Sequence, residues 1–301
     1  MLTGTPVQNH LGELWNLFQF VNPGLLGTFE DFNRRFIQPI ELLHDEEAQR
    51  SLDRLIKPFM LRRTKEKVAQ ELPEKEEIYQ HVTLSADEIA RYEAIRQRAE
   101  TLLLQDLGTS VGVNTLAEIT RLRMTACCPS KTQALLELLS TIVEGNSEAA
   151  VLVFSQFTTY LSQIREALAD ADIPYLYIDG SVPIKERQRL VEQFQSGKDS
   201  PAVFLISLKA GGLGLNLTRA NYVIHTDPWW NPAIESQATD RAHRIGQRRA
   251  VTVYHLISSG TIEEKIQRLH RRKQDMVENI LDGTDMSHKL TGEELLEMVR
   301  G

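Results

Sequence analysis

From residue 149 onward, apolar residues gather in short runs, and a stretch with helical spacing follows most of them. Val151–Ser155, Tyr175–Ile178, Ala202–Ser207, Asn221–His225 and Val251–Leu256 read as strands. Phe157–Asp170, Pro183–Gln195 and Pro232–His243 read as the helices between them. Short apolar strands alternating with helices predict an α/β fold, a parallel sheet covered on both faces. Ligands of such sheets bind at the carboxyl ends of the strands. That rule singles out Ser155–Gln156, Gly180, Ser207–Gly214 and Asp227–Asn231.

Upstream the pattern is mostly helical. Leu11, Leu14, Trp15 and Phe18 share one face of a helix that Asn22-Pro23-Gly24 ends near Val21. Residues 28–72 have the composition of a mobile helical segment, and residues 1–70 are expected to be partly helical and loosely packed, the sheet they belong to being absent. Within it LRRTKEKV (61–68) is basic, which ordinarily marks a solvated helix face. Glu76–Leu84 alternates like a strand. Ser85 and Glu88 form the sequence signature of a capping box, opening a helix towards Leu104. Leu116–Met124 and Lys131–Val143 are further helices. Thr261 caps a last long one, from Ile262 to about Leu281, apolar at Ile262, Ile266, Leu269, Met276 and Ile280. Its other face, from Lys265 and Arg268 to Lys273, is basic.

Composition narrows this picture. The 301 residues are 42% hydrophobic and 25% charged, ordinary for a globular chain of two domains. No apolar run approaches the length of a membrane span, and the N-terminus has no signal-peptide pattern. Cys127 and Cys128 are sequence neighbours, forming neither a disulfide framework nor a zinc spacing. A reducing intracellular setting is therefore expected: nucleoid or cytoplasm in a bacterium, nucleus in a eukaryote. The net charge of −7 means that any nucleic-acid binding must use local basic surface.

The stretch 207–247 carries the densest chemistry. Asn231 and Pro232 suit a helix start, and Gly246 suits its stop. On that helix Gln237, Arg241 and Arg244 fall at i, i+4 and i+7, one face. Two guanidiniums beside an amide can grip several oxygens of one phosphate, since the planar fork binds oxyanions in two places. The plainer reading is basic residues complementing a helix C-terminus. Gly211, Gly212 and Gly214 let backbone N–H groups approach a phosphate, and Lys209 adds charge. Ser207 and Asn216 are donors beside that turn. Trp229 and Trp230 read either as core or, for Trp230, as a nucleic-acid platform. Asp240 reads as a partner holding an arginine or as an exposed helix acid.

A complete ATP site needs GxxxxGK[ST] and an acidic magnesium pair at a strand end. Neither occurs. Ser196-Gly197-Lys198-Asp199 has no upstream glycine at the right spacing, and His44-Asp45-Glu46-Glu47 and Asp87-Glu88 follow no buried strand. No metal ligands are assigned.

DPWWNPAIESQATDRAHRIGQ (227–247) closely resembles the last ATPase motifs of the SWI/SNF-type chromatin-remodelling ATPases, members of the superfamily-two helicases. SLKAGGLGLNL (207–217) is similar to the preceding motif, VLVFSQFTTYL (151–161) to the one before, and LTGTPVQN (2–9) to a motif of the first lobe. Four motifs in order make the match specific. It implies a RecA-like C-terminal lobe at 131–260 and the end of a first lobe with a helical protrusion at 1–72. It further implies a linker and second protrusion at 73–130, and a brace helix and tail at 261–301. RLRMTACCPS (121–130) departs from the family's wording.

The resemblance also implies roles: Arg241 and Arg244 at the γ-phosphate, and Gln237, Gly212 and Gly214 at the nucleotide. Ser155, Gln156, Ser207, Lys209, Gly211, Asn216 and Trp230 would lie along DNA. Thr3, Gly4, Thr5 and Asp240 would couple the two sites. The expected ligands are ATP and Mg2+, the metal being held by an upstream lobe. The expected partners are that lobe, double-stranded DNA and a DNA-bound protein complex. The chain then reads as the C-terminal half of a DNA translocase, a piece of a longer protein and inactive alone. The alternative is a non-catalytic DNA- or protein-binding module built on a helicase lobe.

Overall fold

The computed structural model describes residues 11–43, 45–60, 71–106, 112–197, 200–208, 215–270 and 292–300. The chain divides into two compact units, Met1–Gln70 with His270–Leu290, and Glu71–Leu269 with Thr291–Gly301.

In the first unit, α1 (Leu11–Val21) packs with α2 (Phe29–Phe32), a wider helical segment Asn33–Leu42 and α3 (Glu46–Ile56). Leu14 and Phe32 are fully buried, and Trp15 meets Phe29 edge-on at 5.3 Å. Loose packing was the expectation. Instead, apolar residues from all four segments close a core of their own, because their helical stripes converge. Asp45, in one of the rejected acidic runs, caps α3 by accepting from the Glu47 and Ala48 N–H groups. The basic run 61–68 lies outside the described residues.

The second unit opens with β1 (Lys75–Val82), α4 (Ala86–Gln105), α5 (Val113–Thr125) and α6 (Pro129–Gly145). There follow β2 (Val151–Ser155), α7 (Thr158–Asp170), β3 (Tyr175–Ile178), α8 (Ile184–Ser196) and β4 (Val203–Ser207). Next come β5 (Tyr222–His225), α9 (Pro232–Thr239), β6 (Val251–Ser258), a helix α10 over 262–270, and α11 (Gly292–Val299). The six strands form one parallel sheet in the order β1-β6-β5-β2-β4-β3.

Side chains alternate across that sheet. Leu152, Phe154, Phe204, Ile206 and Val223 join Phe194 and Ala238 from α8 and α9 on one face. Val151, Val153, Leu205 and Ile224 join Leu135, Leu139, Leu161 and Ile164 from α6 and α7 on the other. Both faces are covered, as the continuous apolar strands require. The capping box is also present: Glu88 N–H donates to Ser85 Oγ, and Ser85 N–H to Glu88 Oε2. The same carboxylate accepts from Ser130, tying α4 to the start of α6.

One boundary is corrected. Residues 73–130 were set apart from the lobe, yet Lys75–Val82 pairs along its whole length with β6. Alternation marks a strand but not its partner, which here lies beyond residue 250.

Candidate functional site

Parallel strands place all their carboxyl ends on one edge of the sheet. Ser155 and Ser207 are register partners at that edge, both buried, and Phe154 sits opposite His225. Beyond β5 the chain turns through Thr226, Asp227 and Pro228, all buried.

Asp227 organises this edge. Ser155 Oγ donates to Asp227 Oδ1 at short range, Gln156 N–H donates to Oδ2 at 3.2 Å, and Thr226 Oγ1 lies 2.9 Å from Oδ1. Gln156 Nε2 donates to the Pro228 carbonyl at 3.4 Å. The side chains of Ser155 and Gln156, expected along DNA, thus point into the protein and hold the 226–230 turn. Asn216 is exposed and Trp230 half-buried. Thr3, Gly4, Thr5, Lys209, Gly211, Gly212 and Gly214 lie outside the described residues.

Arg123 was not singled out from the sequence. It is buried, donates from Nη2 to the Pro228 carbonyl at 2.6 Å, and lies over the Trp230 ring at 4.6 Å. Phe157 and Trp229 flank it at 5.7 and 5.9 Å. A weakly hydrated planar cation fits such an aromatic cage. Burial lowers its pKa, while the charges of Asp227 and Glu263 oppose the shift. Replacing Arg123 with alanine frees the two indoles and leaves the Pro228 carbonyl only the longer bond from Gln156 Nε2. We expect a loss of about 1–3 kcal/mol. In a Trp15→Phe background, emission of the remaining tryptophans should shift red and acrylamide quenching should rise. Unchanged emission overturns the caging role.

The arginine helix is shorter than its sequence pattern. Asn231 caps α9 by accepting from Ala233 N–H at 2.9 Å, with Pro232 at its first position. The helix stops at Thr239, well before Gly246. Tertiary bonds intercept its continuation: the Arg241 carbonyl accepts from Leu217 N–H, and the Ala242 carbonyl from Gln247 Nε2. The shared face of Gln237, Arg241 and Arg244 therefore does not form. Arg241 is buried, whereas Gln237, Asp240 and Arg244 are exposed. Gln247, also missed, bonds the Ala220 carbonyl and the Arg248 and Arg249 N–H groups, clamping the turn after α9.

Arg241 is the unusual group here. Its Nη1 is buried with no hydrogen-bond partner, and burial alone lowers its pKa to about 10. Among the described residues no carboxylate pairs with it. A desolvated guanidinium without a counter-charge is costly unless an anion completes it.

Beneath this edge lies a buried ion pair. Lys131 Nζ donates to Glu263 Oε2 and, at 3.0 Å, to the Thr226 carbonyl. Glu263 Oε2 also accepts from Ser258 N–H at 2.8 Å. The pair joins α6, the 226–230 turn and α10. Among the described residues, no group of three or more His, Cys, Asp or Glu is placed to hold a metal ion. Nor is any helix there long and apolar enough to cross a membrane.

Comparison with known proteins decides the family. The SNF2-related domain matches residues 1–131, and the helicase conserved C-terminal domain matches 130–246. The chain belongs to the SWI/SNF-type, helicase-like family. A putative ATP-dependent helicase/translocase, YwqA of Bacillus subtilis, is 40% identical over 99% of this chain and 34% of its own length. The mouse SWI/SNF-related matrix-associated actin-dependent regulator of chromatin subfamily A member 1 is 34% identical over all of this chain and 31% of its own. The SWI2/SNF2 ATPase core of Sulfolobus solfataricus in complex with double-stranded DNA matches with a TM-score of 0.59 and 32% identity. That match covers 99% of this chain and 65% of the other. The SNF2-family chain thus spans about a third of the length of these curated relatives. Its sheet is the RecA-like lobe that the motifs implied.

Proposed function

We propose that this chain is the C-terminal half of the core of an ATP-driven double-stranded DNA translocase that remodels protein–DNA complexes. The observation that carries the reading is Arg241, a buried guanidinium that follows α9 and has, among the described residues, an unpartnered nitrogen and no carboxylate. Such a group fits a phosphate oxyanion and stabilises charge that develops on a transferring phosphoryl group. ATP supplies the phosphoryl group, and an upstream lobe of the same protein supplies the phosphate cradle and the magnesium ligands.

In this reading Arg241 donates from a fixed position. Arg244, which is exposed, reaches the γ-phosphate. Gln237, Gly212 and Gly214 border the nucleotide. Asn216, Lys209, Gly211 and Trp230 track the DNA backbone, contacts that position without reading sequence, whereas Ser207 is buried at its strand end. Ser155 and Gln156 serve DNA through the turn they hold rather than by direct contact. Thr3, Gly4, Thr5 and Asp240 couple the two events. The translocase in the name of the Bacillus relative and the duplex in the Sulfolobus complex support this assignment.

The test compares ATP hydrolysis by the intact protein and by these 301 residues, each with and without double-stranded DNA. We expect DNA-stimulated turnover by the intact protein and none by the 301 residues alone. Turnover by the 301 residues alone would show that they hold a complete site. An intact protein that binds DNA without hydrolysing ATP would be a binding module instead.

A further inference from the structure

A row of four rings crosses the sheet beneath α9. Tyr79, His255, His225 and Phe154 come from β1, β6, β5 and β2 and are register partners in turn. Their rings stack nearly parallel, at 4.6, 5.1 and 5.6 Å.

His255 is flanked by two carboxylates: Nε2 lies 3.6 Å from Glu77 Oε2, and Nδ1 lies 3.5 Å from Glu235 Oε2. Only a doubly protonated ring presents an N–H to both. Burial opposes that charge, but Glu235 and Glu77 outweigh it and raise the His255 pKa to about 9. The His255 imidazolium in turn, with help from Lys75, lowers Glu77 to about 2. Lys75 pairs with Glu77 at 2.7 Å on the same strand. His225, the remaining titratable neighbour, is pushed by burial to about 4 and stays neutral. Its Nε2 lies 2.9 Å from Thr239 Oγ1.

These contacts fasten α9 at both ends. Glu235, in the first turn and buried, accepts the Trp229 N–H at 2.6 Å through Oε1 and faces His255 through Oε2. Thr239, the last residue of α9, meets His225, and Arg241 follows two residues on. A glutamate in a first helical turn ordinarily complements the helix dipole at the surface. This one is buried and bonded to two other elements, which a dipole role does not require.

We infer that Glu235, held by His255, is a positioning residue that fixes α9 on the sheet and thereby the placement of the Arg241 guanidinium. The inference rests on the ATPase reading above. A guanidinium must meet the transferring group within fractions of an ångström, so a small tilt of α9 reads out in turnover.

The test uses the intact protein with double-stranded DNA. Glu235→Gln keeps an oxygen for the Trp229 N–H but removes the charge facing His255. We expect kcat to fall about 10- to 100-fold, with KM for ATP within about threefold. The pH profile separates this role from simple stabilisation. His255 has a raised pKa, so its ion pairs are complete below about 6.5 and are lost as pH rises through about 9. Wild-type kcat should decline across that alkaline limb, and in Glu235→Gln the limb should move to lower pH. His255→Gln, a second variant should the first not fold, should match the loss in kcat and show no such limb.

Wild-type kcat and an unmoved limb in Glu235→Gln overturn the inference. So does a lowered Tm with the limb in place. Arg241→Ala serves as control: if it loses turnover while Glu235→Gln does not, this inference alone fails. No DNA-stimulated turnover by the wild type overturns the ATPase reading and this inference with it.

Discussion

Replacing Arg241 with alanine in the intact protein should reduce DNA-stimulated ATP turnover by about 10³-fold or more, the usual scale for losing an arginine that stabilises phosphoryl transfer. Binding of double-stranded DNA should change little. The expectation follows from burial. Among the described residues Nη1 of Arg241 has no partner, and the group is desolvated enough to bring its pKa down to about 10. Among the described residues it has no structural ion pair to lose, so its removal should not unfold the lobe. Protein stability should hold or rise, because an uncompensated buried charge disappears. A variant that unfolds more readily, or that keeps turnover, contradicts the assignment. Arg241→Lys should recover little, because a single ammonium cannot replace a two-point fork. Arg244→Ala tests the exposed arginine proposed for the same phosphate.

The opposite profile is expected at Lys131. Lys131→Met should destabilise the lobe by about 3–5 kcal/mol, since it leaves the Glu263 carboxylate buried without its cation. The midpoint of urea unfolding should fall with the slope unchanged. Lys131 is fully buried and contacts Glu263 and the Thr226 carbonyl. Glu263 retains only the Ser258 N–H on Oε2, and among the described residues its Oε1 has no partner. Adding Glu263→Leu should restore most of the loss, because an apolar pair of similar volume removes the stranded charge. A double variant no more stable than Lys131→Met would contradict this account. Glu263 raises the Lys131 pKa against the effect of burial. On the alkaline side the pair is therefore lost only as pH climbs through the raised lysine value, and on the acid side it is lost as Glu263, whose pKa burial raises, takes up a proton.

Some of these residues left a trace in the sequence. Lys131 stands four and eight residues before Leu135 and Leu139, on the stripe that faces the core. A charge on an apolar stripe signals a buried partner, though not which one. Arg123 had no such signal, since its aromatic cage is assembled from two segments distant from it in sequence. Glu235 and His255 sit in stretches that read as an ordinary first helical turn and an ordinary strand.

The sequence by itself determined the parallel α/β sheet, the strand ends that carry the site, the cap at Asn231 and the capping box at Ser85. All of these are local: apolar period, cap chemistry and strand length act within a few residues. Only the tertiary structure decided that β1 joins the sheet and that α9 stops at Thr239. It alone also buried Arg241, exposed Arg244, and turned Ser155 and Gln156 towards Asp227. The bonds responsible span long separations, 105 residues for Arg123 to Pro228 and 132 for Lys131 to Glu263. A local pattern cannot state which distant carbonyl or carboxylate will satisfy a buried donor. That choice is made when the elements pack, because each buried donor left unpaired costs about 1–3 kcal/mol.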